Sequence, residues 1–194
     1  MPTIGIDEVG RGALAGPVVV GAVLLPDGFE VPDVLGRPLR DSKQHSRAHH
    51  AKVSDFVTTN LTWGIGEVSV AELHEIGLSA ALKLAADRAL SPLLSPGAVV
   101  QADAGLFHTR EAEFRTQRFI KGDDTYLPIT LASHLAKYYR DSLMVELARQ
   151  HEGYAWETNV GYGTKAHRKA ILELGNTIHH RELFLRKLLG ATQA

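Results

Sequence analysis

Thr3-Ile-Gly-Ile-Asp-Glu-Val-Gly-Arg-Gly-Ala-Leu-Ala-Gly-Pro-Val-Val-Val-Gly-Ala-Val-Leu-Leu25 is the stretch around which the chain is organised. A short apolar run stops at two adjacent carboxylates, Asp7 and Glu8. Glycines bracket an arginine at Gly10-Arg11-Gly12, and a second apolar run, Val18 to Leu25, follows Pro17. This reads as strand, polar turn, strand. Side chains alternate faces along a strand, so neighbouring acids are expected to share a site only where the strand is ending. A glycine has no Cβ to hold a ligand away from the backbone. Paired acids beside bare amides and a guanidinium therefore suggest bound metal next to bound phosphate.

The same pattern returns further along. Ala98-Val-Val-Gln-Ala-Asp103 is another apolar run ending in an acid, and Gln117-Arg-Phe-Ile-Lys-Gly-Asp-Asp124 is a short strand, a glycine and two acids. In α/β sheets, sites are built at strand ends. Acids from separate strand ends repel one another unless something positive lies between them. Hard divalent cations such as Mg²⁺ and Mn²⁺ prefer oxygen ligands, and paired ions stabilise both oxygens of a phosphoryl displacement. The candidate set is Asp7, Glu8, Asp103 and either Asp123 or Asp124. Asp141 is a further competitor, with a helical ion pair as its simpler explanation.

Between these runs the periodicity predicts a loop over Pro26–Arg40, then a helix capped by Asp41 or Ser42 and running through Val53. A third strand is expected over Thr62–Val70 and an amphipathic helix over Ala71–Leu90, irregular at Gly77. Helices follow over Ile129–Gln150, Lys165–Leu174 (capped by Thr164, closed by Gly175) and Ile178–Leu189, with a loop over Tyr154–Gly163. On the first of these three helices His134, Lys137 and Asp141 share a face. A single domain over residues 1–194 is expected, with roughly residues 150–194 as a helical C-terminal portion.

Composition narrows the class. The chain has 194 residues, enough for one well-cored domain, and a net charge of −1, so any nucleic-acid binding must use local patches. It has no cysteine, which excludes disulfides and thiolate zinc sites. No stretch reaches the length of a membrane helix, and the N-terminus lacks a signal-peptide pattern. A soluble, cytoplasmic protein without membrane association is expected.

Taken together the motifs resemble ribonuclease HII, an enzyme family that nicks RNA–DNA hybrids and single ribonucleotides embedded in duplex DNA. The resemblance rests on Gly5-Ile-Asp-Glu-Val-Gly-Arg-Gly followed by Leu-Ala-Gly-Pro-Val, and on Asp41-Ser-Lys. It continues through Lys121-Gly-Asp, Leu135-Ala-Lys-Tyr-Tyr-Arg-Asp-Ser-Leu-Met, Asn159-Val-Gly-Tyr-Gly-Thr-Lys-Ala-His167 and His180-Arg181. It implies an α/β, ribonuclease H-like fold: a five-stranded mixed sheet flanked by helices, with a C-terminal helical extension. It also implies a two-metal endoribonuclease using Mg²⁺ or Mn²⁺ that cuts 5′ to a ribonucleotide, leaving 3′-hydroxyl and 5′-phosphate ends.

Carried over by motif, Asp7, Glu8, Asp103 and Asp123 would be the catalytic, metal-binding carboxylates, with Asp123 preferred over Asp124 for its place in Lys-Gly-Asp. Gly10, Arg11 and Gly12 would contact the ribonucleotide, and Tyr162 would stack on the deoxyribose that follows it. Lys43, Thr164, Lys165, Arg168 and Lys169 are the candidate phosphate contacts, and Arg110, Arg115 and Arg118 could extend the groove. Lys137 is expected to support the site. The histidine pairs His49-His50 and His179-His180 are read as structural. The implied partners are RNA–DNA hybrid and ribonucleotide-containing duplex DNA, bound by a monomer. The C-terminal Gly190-Ala-Thr-Gln-Ala shows no clear clamp-binding peptide.

The chain departs from the family pattern at Ala104, where a glycine is usual, and at His134, where an isoleucine is usual. Leu183 replaces a serine, and Phe107–Phe114 matches no motif. A DNA-junction nuclease of the same fold is the first competing reading, opposed by Gly10-Arg11-Gly12 with Tyr162. A silent hybrid-binding module is the second, opposed by the complete set of acids.

Overall fold

The structure, a computed structural model, describes residues 1–36, 39, 45–93 and 97–190. The expected cap at Asp41 or Ser42 and the candidate phosphate contact Lys43 lie outside the described residues.

Five strands form one mixed sheet in the order β3-β2-β1-β4-β5. They are β1 (Thr3–Val9), β2 (Val18–Leu25), β3 (Thr62–Val68), β4 (Val99–Asp103) and β5 (Arg115–Phe119). β1 pairs antiparallel with β2, and β2 with β3, whereas β4 runs parallel to both β1 and β5. The run Val18–Leu25 is apolar without alternation because both faces of β2 are covered. Val18, Val20 and Ala22 pack beneath α2 (Val70–Leu90), while Val23 and Leu25 face α1 (Arg47–Asn60) and α3 (Leu127–Gln150). The sheet is thus the middle of three layers.

Glycine sets how closely the helices approach. A Cβ on Gly5 would lie 2.0 Å from the backbone carbon of Pro128, so α3 crosses β1 at a position where only hydrogen fits. α2 begins on a full capping box, with Ser69 and Glu72 bonded reciprocally, and kinks where predicted, at Gly77 (φ 76°).

The elements differ from expectation in four places. α1 starts at Arg47, where the Ser46 hydroxyl accepts from the His49 amide. Asp123 lies in a 3-10 turn, Gly122–Asp124, rather than at the end of β5. The expected loop over Tyr154–Gly163 contains a single helical turn, α4 (Trp156–Asn159), flanked by Ala155 and Val160 at positive φ. After α5 (Lys165–Leu174), the final helix α6 spans Glu182–Gly190 and not Ile178 onward. Its start is delayed because the backbone of residues 179–181 is used to grip the glycine turn. The His179 carbonyl accepts from the Gly16 amide at 2.8 Å, and His180 forms a β-bridge with Ala15.

The C-terminal helices therefore buttress the loop between β1 and β2. Met144 of α3, Trp156, Ile171 and Leu185 share a buried cluster with Ala15. Two fully buried arginines complete the clamp. Arg140 of α3 donates to the carbonyls of Pro17, Val160 and Ala15 at 2.8–2.9 Å. Arg181 donates to those of Gly16 (2.9 Å), Gly10 (2.6 Å), Arg11 (3.2 Å) and Pro17 (2.9 Å).

Candidate active site

β1 and β4 remain in register only as far as Ile6 and Ala102. Beyond that point Asp7, Glu8 and Val9 pair with β2 alone, leaving their other edge open over the end of β4. This explains how two adjacent acids serve one cleft although the strand runs on to Val9. Asp7 shares the α3-facing side with Gly5, and Glu8 shares the opposite side with Ile4 and Ile6, yet both line the opening. The expectation that the strand ends at the acids is corrected: the pairing with one neighbour ends there.

The cleft encloses about 500 Å³ and is lined by Asp7, Glu8, Asp103 and Asp123, by Gly10, Arg11, Gly12 and Tyr162, and by Ser133 and Lys137 from α3. Asp124 is not among its lining residues. The Gly122 amide donates to the Asp103 carboxylate at 3.3 Å, and the Thr130 hydroxyl holds the Asp123 carbonyl at 2.7 Å. Asp141 sits one helical turn below Lys137, which bonds it at 2.5 Å, so the helical ion pair is the observed arrangement.

Asp7 and Glu8 sit where burial and neighbouring acids disfavour their charge. Burial pushes the Asp7 carboxyl well above its usual range, and the charges of Glu8 and Asp123 push it further, against a hydrogen bond from Ser133. Burial likewise raises Glu8, with Asp103 adding to the rise, while Arg11 at 3.4 Å opposes it. The second Glu8 oxygen, Oε2, is buried with no hydrogen-bond partner. Crowded, buried, oxygen-only donors with one oxygen unsatisfied fit a hard divalent cation.

The turn above the acids packs on Arg140 at Gly10 and faces open space at Gly12. Gly10 has φ +85°, and its amide donates to the Tyr162 hydroxyl at 3.2 Å. A Cβ at Gly12 would meet nothing within 4 Å. The Arg140 guanidinium lies 5.5 Å from the centre of the Tyr162 ring, fixing that ring at the cleft wall.

Other predicted contacts are not in the cleft. Thr164 is exposed and caps α5 through the His167 amide, beside exposed Lys165 and Arg168. Lys169 reaches Glu173 at 3.6 Å. Arg110 and Arg118 are ion-paired to Glu113 and Glu111, and Arg115 is exposed. Two departures from the family pattern are accommodated. Ala104 is not at positive φ and donates its amide to Phe119, and the next residue, Gly105, lies against the Arg11 guanidinium. Leu183 is exposed.

Sequence reasoning missed Ser133, and it missed the role of Arg140 and Arg181. The signal for Ser133 was its place four residues before Lys137 on one helical face. A wider groove of about 850 Å³ between α1, β3 and α3 is mainly apolar, and none of the cleft acids line it.

Comparison with known proteins shows the family and the fold. A family model described as Ribonuclease HII matches residues 4–187. The ribonuclease HII of Paracoccus denitrificans is 41% identical over 180 residues, 93% of this chain and 83% of the relative. Among solved structures, the ribonuclease HII of Archaeoglobus fulgidus, in complex with PCNA, superposes with a TM-score of 0.76 at 22% identity. That match covers 93% of this chain and 94% of the other. The Bst ribonuclease HIII in complex with Mn²⁺ gives a TM-score of 0.69 at 19% identity, covering 98% of this chain and 70% of the other. The two structural matches establish a shared ribonuclease H-like fold, and the sequence matches carry the assignment further. The chain belongs to the ribonuclease HII family and is a hydrolase of the ribonuclease H class.

Proposed function

We propose that the cleft cuts the phosphodiester 5′ to a ribonucleotide, in RNA–DNA hybrids and at single ribonucleotides in duplex DNA, leaving 3′-hydroxyl and 5′-phosphate ends. The observation that carries this reading is the convergence of Asp7, Glu8, Asp103 and Asp123 beneath the Gly10-Arg11-Gly12 turn. The four carboxylates would hold Mg²⁺ or Mn²⁺, which when bound supply the charge that activates water and stabilises the departing oxygen.

The chain's own residues orient and select. The Ser133 hydroxyl and the Gly122 amide fix the directions of Asp7 and Asp103. Lys137 brings a positive charge to the α3 side of the cleft. The Gly10 amide, now given to the Tyr162 hydroxyl, stands where a ribose 2′-hydroxyl could accept from it instead. That group distinguishes RNA from DNA, so reading it from the backbone makes the cut ribonucleotide-dependent. The Tyr162 ring would then stack on the following deoxyribose, while Lys43, Thr164 and Lys165 meet phosphates further along the duplex.

Removing the ring tests this assignment. Base–aromatic stacking is worth about 1–3 kcal/mol, taken here as the scale for the sugar contact. On that scale Tyr162→Ala should lower cleavage of a duplex with one ribonucleotide by roughly 5- to 150-fold. The loss should be smaller on a long RNA–DNA hybrid, where no deoxyribose follows the cut nucleotide. Equal loss on both substrates, or none, would contradict the placement of Tyr162 at the junction.

A further inference from the structure

Outside the cleft lining, where α1 packs against α3, four imidazoles meet. His134 is buried in the middle of α3. His50 lies on α1, His49 in the first turn of α1, and His45 just before its cap. The rings of His45 and His49 stack with centroids 4.1 Å apart, and each lies 5.4 Å from that of His134. One ligand nitrogen from each of these three can be chosen so that all lie within 4.8 Å of one another. Among the described residues no other group of metal-ligating side chains is so compact, the cleft carboxylates included.

We propose that His45, His49 and His134 form a binding site for one borderline divalent transition-metal ion, Zn²⁺ in the redox-inert case, which ties the start of α1 to the middle of α3. Three observations converge on it. The Nε2 atom of His49 is buried without a hydrogen-bond partner, leaving a nitrogen with no assigned role. The Nε2 atom of His134 lies 3.0 Å from the Leu39 carbonyl, to which it must donate. That bond fixes the tautomer, so the Nδ1 lone pair points into the cluster, which is how metal-bound imidazoles are usually oriented. His50 donates its Nδ1–H to that lone pair at 2.9 Å, the hydrogen bond that an ion would displace.

Burial and the neighbouring charges hold His50 and His134 down to about 4, so both are neutral and ligand-competent at physiological pH. Imidazole-only donors select zinc-class ions over Mg²⁺ or Mn²⁺, which take oxygen. Tetrahedral Zn–N bonds of about 2.0–2.1 Å place ligand nitrogens roughly 3.4 Å apart. Binding therefore draws the rings in by about an ångström, which the partly exposed His45 and His49 can do by side-chain rotation. Ser133 precedes His134 on the same helix and bonds Asp7 in the cleft, so the ion would also steady the α3 face that the cleft uses.

The test uses the full chain, without an affinity tag, carrying Asp7→Asn and Asp103→Asn so that the cleft is disabled. Zn²⁺ is titrated calorimetrically, and Co²⁺ replaces it for visible absorption. One Zn²⁺ per chain, with the intense d–d bands of tetrahedral cobalt, is expected. Loss of a mere outer-shell partner weakens metal sites about 10- to 100-fold. Adding His45→Ala with His49→Ala should therefore weaken binding by at least about 100-fold. Both positions are partly exposed, so this variant should fold, which circular dichroism checks. Unchanged affinity after that double substitution, or no stoichiometric binding to the parent chain, overturns the proposal.

Discussion

Arg181→Lys isolates the clamp on the glycine turn. Arg181 is fully buried, faces four carbonyls and has no ion pair among the described residues, and burial lowers its guanidinium to about 9. A lysine offers one nitrogen where the guanidinium offers a planar fork, and burial disfavours its charge more readily. Two of the acceptors keep other donors. Pro17 still accepts from Arg140 at 2.9 Å, and Gly10 from the Ala13 amide at 3.2 Å. The carbonyl of Gly16 does not, and the lysine cannot reach it and Gly10 together. Losing about two charge-assisted bonds at roughly 1.5–3 kcal/mol each, partly offset by relaxation, gives about 3–5 kcal/mol. At about 2–4 °C per kcal/mol for a chain of this size, the midpoint should fall by roughly 6–20 °C. Paired thermal and urea melts read this directly. Arg149→Lys is the control, since Arg149 is 73% exposed beside Glu146 and should cost under about 1 kcal/mol. A loss below about 1 kcal/mol for Arg181→Lys would refute the view that these bonds hold the turn.

Two further outcomes follow from the same geometry. Asp7 has its pKa raised in the folded state. Its stabilising contribution is therefore complete below the unfolded value of 3.8 and is lost as pH rises through the folded one. As pH rises from the unfolded value through the folded one, the metal-free parent should lose stability relative to Asp7→Asn, which should be the more stable form above that transition. Mn²⁺ should reverse the order by stabilising the parent, and a parent more stable than Asp7→Asn in chelator would contradict it. Gly5→Ala drives a methyl into the backbone at Pro128. It should cost about 1–3 kcal/mol or more by forcing α3 off the sheet, and a melt indistinguishable from the parent's would mean that α3 packs further away.

Asp7, Glu8 and Asp103 were legible in sequence because each stands at the break of an apolar run, whereas Asp123 was singled out from Asp124 only by its place in Lys-Gly-Asp. What could not be read was why Asp7 and Glu8 cooperate: that depends on β4 ceasing to pair after Ala102, a property of two strands and not of one. The buried arginines were hidden for a similar reason. Arg140 reads as a solvated position in Lys-Tyr-Tyr-Arg-Asp, and its partner Pro17 lies 123 residues away. α4 was missed because it is a single turn held between left-handed Ala155 and Val160, with the Arg140 guanidinium bonded to the strained Val160 carbonyl. The histidines carried no periodic signal linking positions 45 and 49 to 134, and only the packing of α1 on α3 brings them together.

The central claim is that the four carboxylates form a metal-dependent centre for cutting beside a ribonucleotide. Its most direct test is cleavage of a duplex DNA carrying one ribonucleotide, with Mg²⁺, with Mn²⁺ and with chelator, beside an all-DNA duplex and the Asp103→Asn variant. The account predicts a nick on the 5′ side of the ribonucleotide with either ion, none with chelator or on all-DNA, and at least about a 100-fold loss in Asp103→Asn. Cleavage that survives chelator, or that persists undiminished in folded Asp103→Asn, would contradict it.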